Sequence, residues 1–246
     1  KYSRATSKVM DIENLSKYGK VKGLGLIGTG DFTHPAWIKE LKEKLEPLGN
    51  GFYRFDDVNW VISGEISTIY SVNNAVKKIH HVVVLPSIED AENINKKLSR
   101  IGNLKADGRP ILGMNSIDLC EKIFDVCNKA IIIPAHIWTP WFSLFGSMSG
   151  FNKIEDCYGE FTKKIYALET GLSSDPEMNW RLSALDKFCL VSNSDSHSPW
   201  PHRIGREANI FKGLRSYNDL LSILKNKDKE RFLMTTEFFP EEGKYH

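Results

Sequence analysis

At 246 residues, 41% of them hydrophobic, the chain is long enough to bury a sizeable core as one barrel-sized domain or two small ones. Its 33 Lys and Arg against 31 Asp and Glu leave a net charge of +2, which neither demands nor excludes a polyanionic partner. Cys120, Cys127, Cys157 and Cys189 form no Cys-x-x-Cys pair, which argues against a zinc knuckle or disulfide framework and fits a reducing cytoplasm, and no apolar run approaches the roughly 20 residues that span a bilayer.

From the N-terminus, Asp11 to Lys22 places Ile12, Leu15 and Tyr18 at helical spacing, and Leu24 to Thr29 reads as a buried strand closed by Gly30-Asp31-Phe32-Thr33-His34-Pro35. Gly23-x-Gly25-x-x-Gly28 matches the dinucleotide-binding pattern in letters only. Its glycines lie within a strand, and a helix precedes rather than follows them. Pro35 to Leu45 is expected to be helical, with Trp37, Ile38, Leu41 and Leu45 along one face. Trp60 to Thr68 reads as a strand with Glu65 near its end. After a loop through Asn73-Asn74 comes Lys78 to Leu85, a strand rich in β-branched residues.

Ser87 to Ser99 reads as a helix capped by Ser87, Asn103 to Pro110 as a loop, and Ser116 to Asn128 as a helix capped by Ser116. Ala130 to His136 is the clearest strand and delivers a histidine at its far end. The aromatic run Trp138, Trp141, Phe142 and Phe145 is too interrupted for a regular helix. Then come a helix over 153–164, a strand from Ile165 reaching Glu169, a helix over 180–187, and the apolar run Phe188 to Val191. That run leads into Ser192-Asn193-Ser194-Asp195-Ser196-His197-Ser198, and Ser216 to Lys225 forms a last helix.

The chemistry lies in a recurrence. Strands end at Asp31, Glu65, His136, Glu169 and Asp195/His197, with His81 at the head of another, and helical segments separate most of them. This is the arithmetic of a parallel α/β barrel whose active face collects one or two residues from each strand. In an extended segment Asp195 and His197 point the same way, a geometry suited to a divalent cation. With no Ser/His or Cys/His pairing to compete, carboxylates and imidazoles favour hard-to-borderline divalent ions and phosphoester hydrolysis.

Gly28-Thr-Gly-Asp-Phe-Thr-His-Pro35, Ser63-Gly-Glu-Ile-Ser-Thr-Ile-Tyr70, Pro134-Ala-His-Ile-Trp-Thr-Pro-Trp-Phe-Ser-Leu-Phe-Gly146, Glu169-Thr-Gly-Leu-Ser-Ser-Asp-Pro176 and Ser192-Asn-Ser-Asp-Ser-His-Ser-Pro-Trp200 resemble the PHP domain of the endonuclease Q family. The resemblance runs from the first residue to about Tyr245. It implies a distorted TIM-like (β/α)7 PHP barrel with a multinuclear site for divalent ions (zinc, manganese or magnesium). It also implies a DNA-repair endonuclease that cuts 5′ to uracil, hypoxanthine and xanthine and at abasic sites. Metal-site roles carry over to Asp31, Glu65, His81, His136, Asp195 and His197, with His34 a weaker candidate. His81 is preferred to His80 because it leads directly into Val82-Val83-Val84. Of these, Glu65, Asp195 and His197 would be catalytic, Glu65 and Asp195 bridging metals. Family members carry a strand and a His-x-His motif just before the segment that here is Tyr2 to Ser7, and continue into a zinc-binding, DNA-contacting region. The resemblance therefore implies that residues 1–246 form a single PHP-type domain that is a fragment, lacking its first strand and two metal ligands.

Each assignment has a plainer rival. Glu169 could as well pair with a nearby Arg or Lys, and His202 and His246 are expected to face solvent. Trp138 and Trp141 are candidates to stack beside a flipped base, although core packing should claim at least two of the four aromatics in their run. Arg206 could hold a phosphate bidentately. Lysines 39, 42 and 44 and the 225–231 run are ordinary solvated charges that could also track phosphates. The rival functions are a small-molecule phosphoesterase on the same site and a non-catalytic DNA-binding module. Expected partners are DNA with deaminated or abasic nucleotides and a sliding clamp, with no membrane.

Overall fold

The computed structural model describes residues 1–242. Helix α1 (Ile12–Lys22) starts where Asp11 accepts a hydrogen bond from the Asn14 N–H at 2.9 Å, and Gly23 ends it in the left-handed conformation that a β-carbon disfavours. Strand β1 (Leu26–Gly28) leads through Asp31 into α2 (Pro35–Lys44), whose fixed proline φ suits the first helical position. Two further strands, β2 (Glu46–Pro47) and β3 (Tyr53–Phe55), are only two and three residues long, too short for a period to show in the sequence.

The element that positions everything else is the hairpin of β4 (Val58–Val72) and β5 (Ala75–Leu85). Eleven positions pair without a slip from Ile62↔Leu85 to Val72↔Ala75. Asn73 (φ 49°) and Asn74 (φ 62°) make the connection, since a two-residue turn of matching twist needs two residues that tolerate positive φ. The expected loop is therefore a tight antiparallel turn, and Glu65 sits in mid-strand rather than at a strand end.

Helix α3 (Ile88–Leu98) is capped by Ser87 as expected. Strand β6 (Ile111–Leu112) precedes α4 (Ser116–Phe124), whose cap is Asn115, accepting from the Asp118 N–H at 2.7 Å. Ser116, expected at that position, is buried in the first turn instead. Strand β7 (Ile131–Pro134) pairs antiparallel with β5. The helix expected over 153–164 is split into α5 (Ile154–Tyr158) and a 3₁₀ segment at Gly159, whose φ of +51° breaks the α-helical path. Strands β8 (Ala167–Glu169) and β9 (Cys189–Val191) pair in parallel. Between them stand α6 (Pro176–Asn179) and a single 3₁₀ turn, where a helix over 180–187 was expected. Strand β10 (Ala208–Phe211), helix α7 (Tyr217–Asn226) and strand β11 (Phe232–Thr236) follow, β10 pairing with β11.

The architecture is mixed α/β: a seven-stranded sheet following β2-β3-β4-β5-β7, with β1 and β6 alongside β4, and two separate two-stranded sheets. Among the described residues no closed barrel of hydrogen-bonded strands is formed, and β4, β5 and β7 pair antiparallel where a parallel barrel was expected. Alternation along β4 and β5 sends Ile62, Ile66, Ile79, Val83 and Leu85 to a large core shared with α1 to α5, and Val61 and Val84 to a smaller apolar cluster with Ile131, Ile133, Val191 and Leu224. Among the described residues no helix is long and apolar enough to cross a membrane.

Candidate metal centre

Glu65 shares a face of the hairpin with Val61 and Val84, directly above the smaller apolar cluster. Because Glu65 pairs with Val82, the residue two before Val82 lies diagonally beside it on the same face, and that residue is His80. His80 Nδ1 is 2.6 Å from Glu65 Oε1, and His136 Nε2, arriving just past β7, is 3.5 Å from the same oxygen and 3.1 Å from His80 Nδ1. These three side chains are the group whose ligand atoms all fall within 4.8 Å of one another.

This overturns the preference for His81. On a strand, neighbours point to opposite faces, so His81 enters the larger core, fully buried, with Nε2 3.0 Å from Thr68 Oγ1 and Nδ1 2.8 Å from the Tyr158 hydroxyl. Both ring nitrogens are occupied, and burial pushes its pKa down to about 3 with His80's charge adding to the effect. Its partners hold it as a neutral core group. The signal that leads into Val82-Val83-Val84 is real, but it marks the strand and not the face.

Several features fit the triad to a cation. Glu65 Oε1 is buried and receives no aligned hydrogen bond, although two imidazole nitrogens crowd it. His136 Nδ1 is 2.9 Å from Thr139 Oγ1, whose hydroxyl hydrogen can go on to the Trp141 carbonyl at 3.0 Å. That chain favours the proton on Nδ1 and leaves the Nε2 lone pair facing Glu65. Burial opposes ionisation of Glu65, but positive charge on His80 and on Arg109 holds its carboxyl well below the usual range. Burial likewise opposes charging of His136, yet Glu65, Glu169 and Asp195 raise its pKa.

The surrounding backbone is strained toward the same place. Asp31, His136 and Asp195 adopt φ of 47°, 32° and 43°, each costing about 1–3 kcal/mol for a residue with a β-carbon. His136 is held by its N–H donating to Glu169 Oε2 at 2.8 Å, while Asn193 Nδ2 donates to Glu169 Oε1 at 2.7 Å. Glu169 is thus a buried bracket behind His136, its pKa raised by burial to about 7 despite His136, Asn193 and the backbone bond.

The remaining candidates fall in graded positions. Asp31, Asp195 and His197 line one cleft of about 1,230 Å³ with Glu65 and His136, but none joins the triad. Asp195 and His197 are half exposed, 3.8 Å apart. Asp31 accepts the Tyr2 and Ser3 N–H groups at 2.9 and 3.2 Å. His34 stacks on Tyr2 with centroids 4.1 Å apart. Arg206 lines the cleft and spends its Nε–H on the Ser194 carbonyl at 2.9 Å. Trp138 does not reach the cleft: its Nε1–H is committed to Asn179 Oδ1 at 2.7 Å and its ring packs on Phe145 against the core, so it anchors α6. Trp141 is 45% exposed beside Lys78, and it too stands off the cleft lining. His202 is exposed, and His246 lies outside the described residues. His80 had been set aside for His81, and Arg109 went unmarked because nothing in the 103–110 loop sets one basic residue above its neighbours.

A mixed α/β frame brings a carboxylate and two imidazoles to ligand spacing beside a cleft, a candidate metal site on a PHP-like fold. No protein-family profile matches the chain. The lesion-specific endonuclease PfuEndoQ from Pyrococcus furiosus superposes with a TM-score of 0.86 at 31% identity, over 100% of this chain and 58% of that one. An endonuclease Q complexed with a 27-mer duplex bearing an abasic lesion at the active site gives 0.87 and 31%, over 100% and 59%. The uncharacterized protein YqxK of Bacillus subtilis is 30% identical over 234 residues, 92% of this chain and 57% of YqxK. The chain thus spans under two thirds of each of these relatives. It has the endonuclease Q-like PHP fold, the one its motifs resemble.

Proposed function

We propose that this chain is the metal-dependent nuclease part of a DNA-repair endonuclease, acting on duplex DNA 5′ to deaminated bases (uracil, hypoxanthine, xanthine) and at abasic sites. The observation that carries the reading is the convergence of Glu65, His80 and His136 on one unbonded carboxylate oxygen, in a chain that matches a lesion-bound endonuclease over its whole length. On this reading the mixed sheet and the β8–β9 pair are arcs of a distorted (β/α)7 barrel around the cleft.

Glu65 Oε1, His80 Nδ1 and His136 Nε2 would hold a divalent cation, zinc, manganese or magnesium, with Asp31, Asp195 and His197 completing a multinuclear set in the same cleft. Cations there would supply Lewis acidity, lowering the pKa of water toward neutrality and meeting charge on a phosphodiester in displacement. Glu65 stays ionised because His80 and Arg109 favour its charge, and the Thr139 contact leaves the His136 Nε2 lone pair free for a cation. Asp195 and His197, half exposed in the cleft, would offer that set a carboxylate and an imidazole from its solvent-facing side. The test is incision of a labelled duplex carrying one abasic site or one deoxyuridine, with manganese, magnesium or zinc added in turn. Metal-dependent cutting 5′ to the lesion, lost in Glu65→Gln, is the expected result. Hydrolysis of small phosphate esters without any cutting of lesion DNA would replace this reading with the phosphoesterase.

A further inference from the structure

We propose that Arg109 binds the substrate phosphate beside the triad, an inference that rests on the phosphodiester hydrolysis just proposed and names the group that receives its anion. Arg109 Nη1–H donates to Glu65 Oε2 at 3.1 Å, while the other oxygen of that carboxylate faces His80 and His136. One carboxylate therefore has the candidate cation position on one oxygen and a guanidinium on the other. Two neighbouring oxygens of a phosphate are about as far apart as the two oxygens of a carboxylate. An anion bound alongside Glu65 could thus reach both positive centres at once, the arrangement that planar guanidinium groups serve best.

The plainer account, that Arg109 only neutralises Glu65, leaves too much of the side chain unused. A guanidinium carries five N–H donors, and among the described residues Glu65 accepts the one side-chain hydrogen bond that Arg109 makes. The side chain is 27% exposed and lines the cleft along with Asp31 and Asp195, so its remaining donors have open space before them. Once Glu65, His80 and His136 hold a cation, the charge of Glu65 is already met. The guanidinium is then shared only with the more distant charges of Asp195 and Asp107, and its unused donors can turn to an anionic ligand in the cleft.

Arg109 is also held as a binding residue should be. Its own N–H donates to Asp107 Oδ1 at 2.9 Å, and the next residue, Pro110, accepts the Ser67 N–H at 2.9 Å, tying the loop to β4 two residues from Glu65. On the other side the Gly108 carbonyl accepts from Thr33 Oγ1 at 2.9 Å, and Gly108 lies so close to Asp31 that a β-carbon there would come within 2.4 Å of the carboxyl carbon. The loop that delivers Arg109 is therefore locked to β4 and to the Asp31 turn, so its guanidinium is positioned before substrate arrives.

The experiment compares wild type, Arg109→Lys, Arg109→Gln and a control outside the cleft lining, Lys96→Gln. Inorganic phosphate is titrated by calorimetry onto the zinc-loaded proteins, zinc affinity is measured separately, and kcat and KM are read on the abasic duplex. The expected result is phosphate affinity weakened roughly 10- to 100-fold in Arg109→Gln and less in Arg109→Lys, with zinc affinity and the control unchanged within about threefold. Phosphate affinity equal to wild type in Arg109→Gln, or no phosphate binding by wild type at all, overturns the assignment. A phosphate site that depends on Arg109 in a protein that cuts no lesion DNA under any metal would uphold Arg109 while the nuclease reading fails.

Discussion

Glu65 and His80 meet diagonally across the β4–β5 hairpin, Oε1 to Nδ1 at 2.6 Å, because an unbroken antiparallel register places Glu65 opposite Val82. One residue of slip would exchange His80 for His81 and present the cleft with core residues. His80→Ala is therefore expected to lower zinc affinity by at least the 10- to 100-fold typical of losing a supporting group at a metal site. His81→Ala should leave zinc affinity near wild type but cost about 2–4 kcal/mol of stability, since Thr68 Oγ1 and the Tyr158 hydroxyl lose a buried partner. Calorimetric zinc titration and urea unfolding of both variants decide the point, and the reverse pattern would return the ligand role to His81.

That same pair marks the limit of what the sequence tells. The Ser87 cap and the helices starting after Asp11 and Ser216 were legible because each precedes an apolar period of 3.6, whereas Asn115 and not Ser116 caps α4. His136 and the Asp195 motif were legible as polar residues just past short apolar runs. The face of β5 was not, because both faces of the hairpin are packed and alternation of polarity is weak on such strands. Arg109 was not legible either, since only the fold brings its loop beside β4. The helix expected over 180–187 failed for a local reason: Asp175 and Pro176 start a helix earlier, and Trp180 already closes it.

Gly171 supports His136 from below. Its φ is +70°, and a β-carbon there would lie 2.5 Å from His136 Cβ and 2.9 Å from its Cα. Gly171→Ala should cost about 1–3 kcal/mol and displace the imidazole from Glu65. Weakened zinc binding alongside the lower unfolding midpoint is the expected pair of results; unchanged zinc affinity would mean that His136 is held by Glu169 and Thr139 alone.

The two tryptophans of the 138–141 segment should separate cleanly. Trp138→Phe loses the bond to Asn179 Oδ1 and is expected to destabilise by about 1 kcal/mol. Trp141→Ala, on an exposed ring beside Lys78, should change stability by less than about 0.5 kcal/mol. If Trp141 stacks on DNA, its removal weakens binding to an abasic duplex by roughly 1–3 kcal/mol. Equal affinity of Trp141→Ala and wild type in a fluorescence-anisotropy titration would dismiss that contact.

Glu207 makes stability depend on pH in a direction opposite to the usual carboxylate. It is buried, its Oε2 has no hydrogen-bond partner, and burial pushes its pKa up to about 7 against the help of Ser192 and the Phe238 N–H. Between the unfolded value of 4.5 and the folded value of about 7, the native state binds more protons than the unfolded one. The contribution of Glu207 is therefore full below pH 4.5 and is lost as pH rises through 7, by up to about 3 kcal/mol. Glu169 and Glu237, also raised by burial, act in the same sense, so the substitution must isolate one group. Glu207→Gln removes the ionisation while keeping the shape. It should flatten the fall in unfolding free energy between pH 5 and pH 8 and be more stable than wild type at pH 8. A variant that follows the wild-type pH curve in urea unfolding would show that Glu207 is charged in the folded protein, paired with a group that its burial conceals.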